Sequence, residues 1–288
     1  MSAATQSKFS PFDALAPHYD DLFTNSQIGR AQRQVVWTKL QKVFKPGDRI
    51  LEINCGTGID AVFLARMGVR VLALDSSAGM VAATQRRVEQ EAVGKLVSAR
   101  QLAIEELRQL KDRCTFDGVL SNFGGLNCIS DLQQFGSDLA RIVRPGGRAM
   151  LCVMGRWCLW ELSYYLGRFQ PSKAFRRTRA CGAVVELRAP QLFDFGTEIP
   201  SVSPTRRETP QLRVHYPSVS TLSRALAPHF IRRSFRAVGL VVPPSYLEPW
   251  VSRHRKFLTR AVQLDGWIGH WPGLRNMGDH YLVEMERT

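Results

Sequence analysis

The stretch from Arg49 to Gly68 constrains the fold more than any other part of the chain. Arg49-Ile50-Leu51-Glu52-Ile53 has the character of a short buried strand. It passes through Asn54-Cys55 into Gly56-Thr57-Gly58, after which Ala61, Val62, Leu64 and Ala65 recur at helical spacing until Gly68. A strand that turns on glycines directly into a helix is the opening half of a βαβ unit. Such units build parallel sheets with right-handed crossovers.

The alternation continues. Residues 69–74 read as a second strand closing on Asp75, 78–91 as a helix, 96–102 as a weaker strand and 105–110 as a short helix. Residues 116–121 read as a fourth strand and 132–143 as a helix that breaks at Arg144-Pro145-Gly146-Gly147, and 149–154 as a fifth strand. Upstream, residues 9–45 read as helical, with Val35, Val36, Leu40, Val43 and Phe44 near a 3.6-residue period. This order implies a parallel sheet covered on both faces, with ligands at the carboxyl ends of the strands.

After Met154 the pattern changes. Trp157, Trp160, Leu162, Tyr164, Tyr165, Leu166 and Phe169 form an aromatic helical stretch. Residues 171–210 read as an irregular insertion rich in Pro, Arg and Thr, over which 184–187 and 212–216 could pair. A helix at 218–226, a strand at 234–242, a helix at 246–264 and a last strand at 281–285 follow.

Composition narrows the class. The 288 residues are 44% hydrophobic, which excludes wholesale disorder, and no apolar run reaches the roughly 18–20 residues of a membrane span. The first ten residues lack the apolar core of a secretory signal, so a cytoplasmic location is expected. Cys55, Cys114, Cys128, Cys152, Cys158 and Cys181 form no C-x-x-C pair and fall at no zinc-ligand spacing with the six histidines. Free thiols and no metal site are the expectation. The net charge is +14, with +4 in residues 1–150 and +10 in residues 151–288. That surplus permits a polyanionic partner without requiring one, because only eight of the 39 basic residues are Lys and an Arg-rich surface can be purely compositional.

Gly56-Thr57-Gly58-Ile59-Asp60-Ala61 fits G-x-G-x-x-A, with Asp75 downstream where a ribose-binding acid would stand. Alone, the pattern is a weak signal that fits a dinucleotide fold, with a ligand-free tight turn as the plainer alternative. Glu52, four residues before the first glycine, is awkward for a pyrophosphate and suits a cationic ligand. Asp75 could instead cap the helix that follows it, and Asn122 could cap a turn.

Taken together, these segments resemble a class I S-adenosylmethionine-dependent methyltransferase of the small-molecule type. Leu51-Glu52-Ile53-Asn54-Cys55-Gly56-Thr57-Gly58 resembles that family's first motif, and Leu72-Ala73-Leu74-Asp75 its second strand. Phe116-Asp117-Gly118-Val119-Leu120-Ser121-Asn122 resembles its fourth-strand motif, and Arg144-Pro145-Gly146-Gly147-Arg148 the turn before its fifth. Ala14-Leu15-Ala16-Pro17-His18-Tyr19-Asp20 is similar to its N-terminal lid.

The resemblance implies an α/β, Rossmann-like, doubly wound seven-stranded sheet, mostly parallel with an antiparallel last strand, and an inserted substrate-binding subdomain. It divides the chain into a helical lid at 1–45 and a cofactor core at 46–155. An acceptor-pocket insertion follows at 156–233, and a C-terminal part at 234–288 completes the sheet. S-adenosylmethionine is the implied cofactor and S-adenosylhomocysteine the product. Its expected contacts are Tyr19, Glu52, Asn54, Cys55, Gly56, Thr57, Gly58, Asp75, Ser76, Met80, Asn122 and Phe123. Many relatives carry an Asp after the third strand, where Ala103 stands here, so the adenine would fall to Ala103, Ile104 or Glu105.

Methyl transfer needs alignment and exclusion of water, and an oxygen or carbon nucleophile also needs a base. The candidate catalytic residues are His18, Tyr19, Tyr165 and His215. Asn122-Phe123-Gly124-Gly125 stands where amino-methylating relatives carry a polar clamp, which argues against a flipped base or glutamine as acceptor. A small hydrophobic or aromatic metabolite is the first reading. An RNA acceptor held by the basic half, or a non-catalytic cofactor-binding protein, stands behind it. The aromatic stretch at 157–169 could pack on the sheet or wall the acceptor pocket. With Arg168, Lys173, Arg176, Arg177 and Arg179 beside it, it could also contact a membrane surface.

Overall fold

The computed structural model describes residues 10, 12–111, 114–178, 183–186 and 211–288. Cys181, Arg179, Leu187 and most of the expected insertion lie outside the described residues. In chain order the elements are α1 (Gln27–Val43), β1 (Arg49–Ile53), α2 (Ile59–Arg66), β2 (Arg70–Asp75), α3 (Ala78–Gln90), β3 (Val97–Gln101), β4 (Phe116–Ser121), α4 (Leu132–Ile142) and β5 (Val143–Met154). They continue with α5 (Leu159–Leu166), α6 (Pro171–Ala174), β6 (Ala183–Glu186), β7 (Gln211–Val214), α7 (Val219–Leu226), β8 (Phe230–Val238), α8 (Glu248–Arg253), α9 (Arg255–Ile268) and β9 (His280–Arg287).

Seven strands form one sheet in the order β3-β2-β1-β4-β5-β9-β8, and β6 pairs with β7 in a separate antiparallel ladder. Strands β1 to β5 run parallel, while β9 is antiparallel to both β5 and β8. This is the expected seven-stranded, mostly parallel sheet with an antiparallel last strand. β1 lies inside the sheet between β2 and β4, with Ile50, Leu51 and Ile53 fully buried, as an apolar run covered on both faces must be. Because side chains alternate along a strand, Leu51, Ile53, Val119 and Leu151 pack toward Phe135 and Leu139 of α4 and Leu222 and Leu226 of α7. Ile50, Leu120 and Met150 pack toward Val36 and Leu40 of α1 and Ala61 and Leu64 of α2.

Three segments differ from the sequence reading. The helix expected over 9–45 divides into turns at 12–18, a wide helical turn at Asp20–Thr24 and α1. The division comes at Ser26, whose hydroxyl caps α1 by accepting the Gly29 N–H (2.9 Å). The carboxylate of Glu248 accepts the free N–H groups of Gln27 (2.8 Å) and Ile28 (2.9 Å), pinning the start of α1 to α8. The helix expected over 246–264 breaks at His254, which leaves helical geometry (φ −124°, ψ 48°). The strand expected at 234–242 is shifted earlier, to β8, and the polar run Arg232-Arg233-Ser234 hides it from an apolar-periodicity reading. No helix among the described residues is long and apolar enough to cross a membrane.

Gly118 is required in β4. A Cβ there would stand 2.4 Å from the backbone oxygen of Arg148 and 2.7 Å from the Phe44 ring. Gly118→Ala is therefore expected to lower the unfolding free energy by about 2 kcal/mol, read as an earlier urea midpoint with unchanged slope.

Candidate active site

The carboxyl ends of β1, β2, β4 and β5 meet the start of β9 at one edge of the sheet. The chain leaves β1 through Asn54 in left-handed geometry (φ 57°), tolerated better by Asn than by most residues, and then through Gly56 (φ 56°) and Gly58 (φ 77°). At Gly58 a Cβ would fall 2.6 Å from the Thr84 side chain, so this glycine lets α3 pack close to the loop. At Gly56 the corresponding space is open, with Tyr19 Cε1 3.8 Å away. At the end of β2, Asp75 accepts the Gly56 N–H (3.0 Å) on one carboxylate oxygen and the Ser77 N–H (2.9 Å) on the other. The α3 cap is Ser77, which accepts the Met80 N–H (3.1 Å), so capping does not account for Asp75. Burial lifts the Asp75 carboxyl to about 6, against the pull of those backbone donors.

Behind this loop a single carboxylate joins three elements. Asp60 of α2 accepts from Arg33 of α1, from Trp37 Nε1 (2.6 Å) and from Asn122 Nδ2 (2.9 Å) just past β4. Asn122 Oδ1 in turn accepts the Phe123 N–H (3.0 Å). Phe123 holds a positive φ of 47°, a conformation costing about 1–2 kcal/mol for a side chain of this kind. The Arg33 guanidinium lies 4.8 Å from the Phe123 ring centroid and 5.7 Å from that of Phe23. Gly125 gives Asn54 its place, since a Cβ at Gly125 would come within 2.1 Å of Asn54 Nδ2.

The segment before α1 is tied down at two points. Asp13 accepts from the Ser77 hydroxyl (2.5 Å) and the Gly79 N–H (3.1 Å), and Asp20 from the Thr57 hydroxyl (2.6 Å) and Arg87. These ties carry Tyr19 over the glycine loop. Burial pushes the Tyr19 phenol up to about 12, so it keeps its proton at neutral pH.

The resulting cavity has a volume of about 240 Å³. Of the residues singled out in the sequence, Tyr19, Asn54, Gly56, Asp75, Met80, Asn122 and Phe123 line it. Cys55, Thr57 and Gly58 shape the loop from behind. Ser76 offers its carbonyl to Gln101, Ala103 and exposed Glu105 flank the loop after β3, and Ile104 enters the core. Glu52 does not reach the cavity. Its side chain shares the face of Ile50, toward α1 and α2, where one carboxyl oxygen has no hydrogen-bond partner. Burial, then the nearby Asp60, pushes that carboxyl well above the usual range and favours its neutral form, so the sequence argument from a Glu52 charge does not carry over.

Three catalytic candidates also lie elsewhere. His18 is exposed, Tyr165 is on the buried face of α5, and the backbone of His215 bonds to Asn127. The α5 stripe turns Trp160 onto Val241 and Phe257 while Phe169 is 93% exposed. The cavity wall on that side is built by Leu212, Val214, Tyr216 and Tyr246 instead.

The sequence reading missed a charged cluster on the same wall. Arg177 donates through Nε to Glu161 (2.6 Å), through Nη2 to the Asp279 carboxylate (2.8 Å) and through Nη1 to the Asp279 carbonyl (2.9 Å). Glu161 also accepts from Arg176. His280 follows, its Nδ1 3.3 Å from Asp279 Oδ2. Topology held the missing signal. A strand antiparallel to β5 starts where β5 ends, and His280 pairs with Met154 in that register.

Residues 50–147 match the family model of a methyltransferase domain. That stretch of the chain is a methyltransferase domain. The demethylmenaquinone methyltransferase of Mycobacterium sp. (strain KMS) is 32% identical over 157 residues, 53% of this chain and 64% of that relative. The chain thus spans just under two thirds of the curated relative it matches. Among solved structures, the PH0226 protein of Pyrococcus horikoshii OT3 is similar with a TM-score of 0.57 and 15% identity, covering 98% of this chain and 100% of that one. Geranyl diphosphate C-methyltransferase of Streptomyces coelicolor A3(2) has a TM-score of 0.52 and 15% identity, covering 89% and 78%. At such identities the likeness is one of fold.

The matched methyltransferase domain supplies the glycine loop, Asp60, Asp75, Asn122 and Phe123. Arg177, Tyr216, Tyr246, Asp279 and His280 come from beyond it. Since Asp60 carries the floor, Asp60→Ala strands a buried guanidinium together with an indole N–H and an amide. It is expected to cost about 3–5 kcal/mol in chemical denaturation, far more than an exposed carboxylate would.

Proposed function

We propose that this chain is an S-adenosylmethionine-dependent methyltransferase acting on a small, hydrophobic or aromatic acceptor. The observation that carries the reading is one cavity that joins a polar end at the glycine loop to a wall of mixed character. Gly56, Asp75 and Met80 line the first, and Phe23, Leu212, Val214, Tyr216 and Tyr246 line the rest beside the charged Arg177, Asp279 and His280.

The polar end fits the cofactor. A ribose would sit against Asp75, whose two oxygens keep lone pairs beyond those used by Gly56 and Ser77. The open side of Gly56 leaves the backbone approachable, and Met80 offers an apolar surface to a base. When bound, the cofactor supplies an electrophilic methyl group on a sulfonium. The chain's part is to hold the acceptor in line with it and keep water out, for which Tyr19, Phe23 and Phe123 are placed. The aromatic and aliphatic side chains of the other wall suit a hydrophobic or aromatic acceptor, and the relatives are named for demethylmenaquinone.

Two measurements test the reading. In calorimetry, Asp75→Ala should weaken S-adenosylmethionine binding by more than about tenfold, since hydrogen bonds to a charged acceptor contribute about 1.5–3 kcal/mol. Unchanged affinity would refute the ribose assignment. The wild-type affinity should also fall as the pH drops through about 6, where Asp75 gains a proton and loses acceptor capacity. The Asp75→Asn variant should lack that dependence.

A further inference from the structure

We propose that His280 is the general base of this site, oriented by Asp279, and that the acceptor bears an ionisable hydroxyl on an aromatic or enolic framework. The inference rests on the methyl-transfer reading above and specifies its substrate class.

Position comes first. His280 opens β9 opposite Met154, at the carboxyl end of β5, and its ring stands edge-on to Phe123 (centroids 5.4 Å apart, planes at 89°). The residue is 7% exposed and lines the cavity. Nδ1 is closed off from solvent and faces Asp279 at 3.3 Å, off the line of a linear hydrogen bond. Catalytic hydrogen bonds often tighten only when substrate binds. With Nδ1 on the protein side, Nε2 is the nitrogen left for a ligand.

The support behind the ring is heavy for a merely structural contact. Asp279 donates its own N–H to Gly239 (2.9 Å), and its other carboxylate oxygen and its carbonyl are both taken by Arg177. Glu161, 1% exposed, holds Arg177 and Arg176 in turn. Two acids and two guanidiniums thus balance, leaving Asp279 Oδ2 aimed at the imidazole. Burial pushes the Asp279 carboxyl up, yet His280 and Arg177 outweigh it and hold it well below the usual range. An ionised Asp279 stabilises an imidazolium beside it and fixes the tautomer that presents a bare Nε2.

The other titratable groups on the cavity wall suit the role less well. Burial pushes both Tyr19 and Cys128 up to about 12 and raises Tyr216 and Tyr246 as well, so all four hold their protons. Asp75 is engaged at the opposite end, and arginines accept no proton. In the step itself, Nε2 takes the proton of the acceptor hydroxyl while the bonding pair stays on oxygen. That pair, directly or through a ring carbon it activates, forms the new bond to the methyl group. The sulfur–methyl bond breaks with its electrons remaining on sulfur. The positive charge lost at sulfur appears on His280, which later releases the proton to water.

The test uses the full chain, S-adenosylmethionine and 1-naphthol, whose absorption distinguishes naphthol from naphtholate. Cofactor affinity of His280→Asn and Asp279→Asn is measured first and should match wild type. Wild-type protein with S-adenosylhomocysteine bound should ionise 1-naphthol at a lower pH than free solution, and His280→Asn should not. With methyl transfer as readout, His280→Asn should lower kcat by about 100-fold or more with KM little changed. Its rate should recover at alkaline pH, where the acceptor ionises unaided. Asp279→Asn should fall between the two. The groups facing His280 that shape these profiles are Asp279, Arg177, Arg176, Glu161, Tyr216, Tyr246 and, across Phe123, Arg33. Wild-type-like kcat in His280→Asn overturns the inference, as does probe ionisation at the free-solution pH, a measurement that needs no variant. Turnover confined to amine acceptors overturns it while leaving methyl transfer standing, and failure to bind cofactor overturns both.

Discussion

The floor at the ligand edge of this sheet leans on one buried carboxylate. Asp60 is reached by Arg33 and Trp37 from α1 and by Asn122 from the end of β4, so two layers of the fold share a single acceptor. Burying a charge this way is worthwhile only when every partner is satisfied, because removing one leaves another stranded. The arrangement positions more than a helix. Asn122 presents its oxygen to the Phe123 N–H, and Arg33 backs the Phe123 ring, so an aromatic residue is held in left-handed geometry at the wall of the cavity. The strain at Phe123 persists because the surroundings over-determine it.

The cavity that results is built by two parts of the chain with different grammars. The floor uses short-range devices: a glycine loop, a carboxylate at a strand end and a serine cap. Their residue types and order show in the sequence, although Asp75 reaches Gly56 and Asp60 reaches Arg33 and Asn122 only once the sheet has formed. The far wall depends on long-range charge pairing, with Arg177 meeting Asp279 across 102 positions, while at the other end of β9 Arg233 pairs with Glu286. The +10 surplus of the second half is therefore partly structural. Several of its arginines are spent inside the protein or along a sheet edge on acids that would otherwise repel one another.

This difference explains what could be read without coordinates. Leu51 to Gly58, Leu72 to Asp75 and the run through Asn122 were legible because strand, turn and helix chemistry is local, and four such segments in order specify the sheet. The ties of Asp13 and Asp20, and the splitting of residues 9–45 at Ser26, were not, because they depend on which distant donors need an acceptor. Glu52 misled for the same reason. Its sequence position beside the loop suggests a charge facing the ligand, while strand alternation turns it to the opposite face and burial favours its neutral form. His18, Tyr165 and His215 were picked by residue type alone, and nothing in a linear pattern says which histidine the fold will deliver to the cavity.

The last strand decides that. Among parallel strands only the residues after each carboxyl end reach the ligand edge. An antiparallel strand contributes its first residues there instead, and β9 begins at His280, directly beside the end of β5. Adding one reversed strand to a parallel sheet therefore brings a side chain to the site from a rigid, fully hydrogen-bonded element rather than from a loop. Rigidity matters at this position, because an imidazole that exchanges a proton with a bound hydroxyl must keep its orientation while its charge changes. Here the carboxylate that would steady it, Asp279, is the preceding residue, and Arg177 grips both its side chain and its backbone, so ring, acid and strand end move together or not at all.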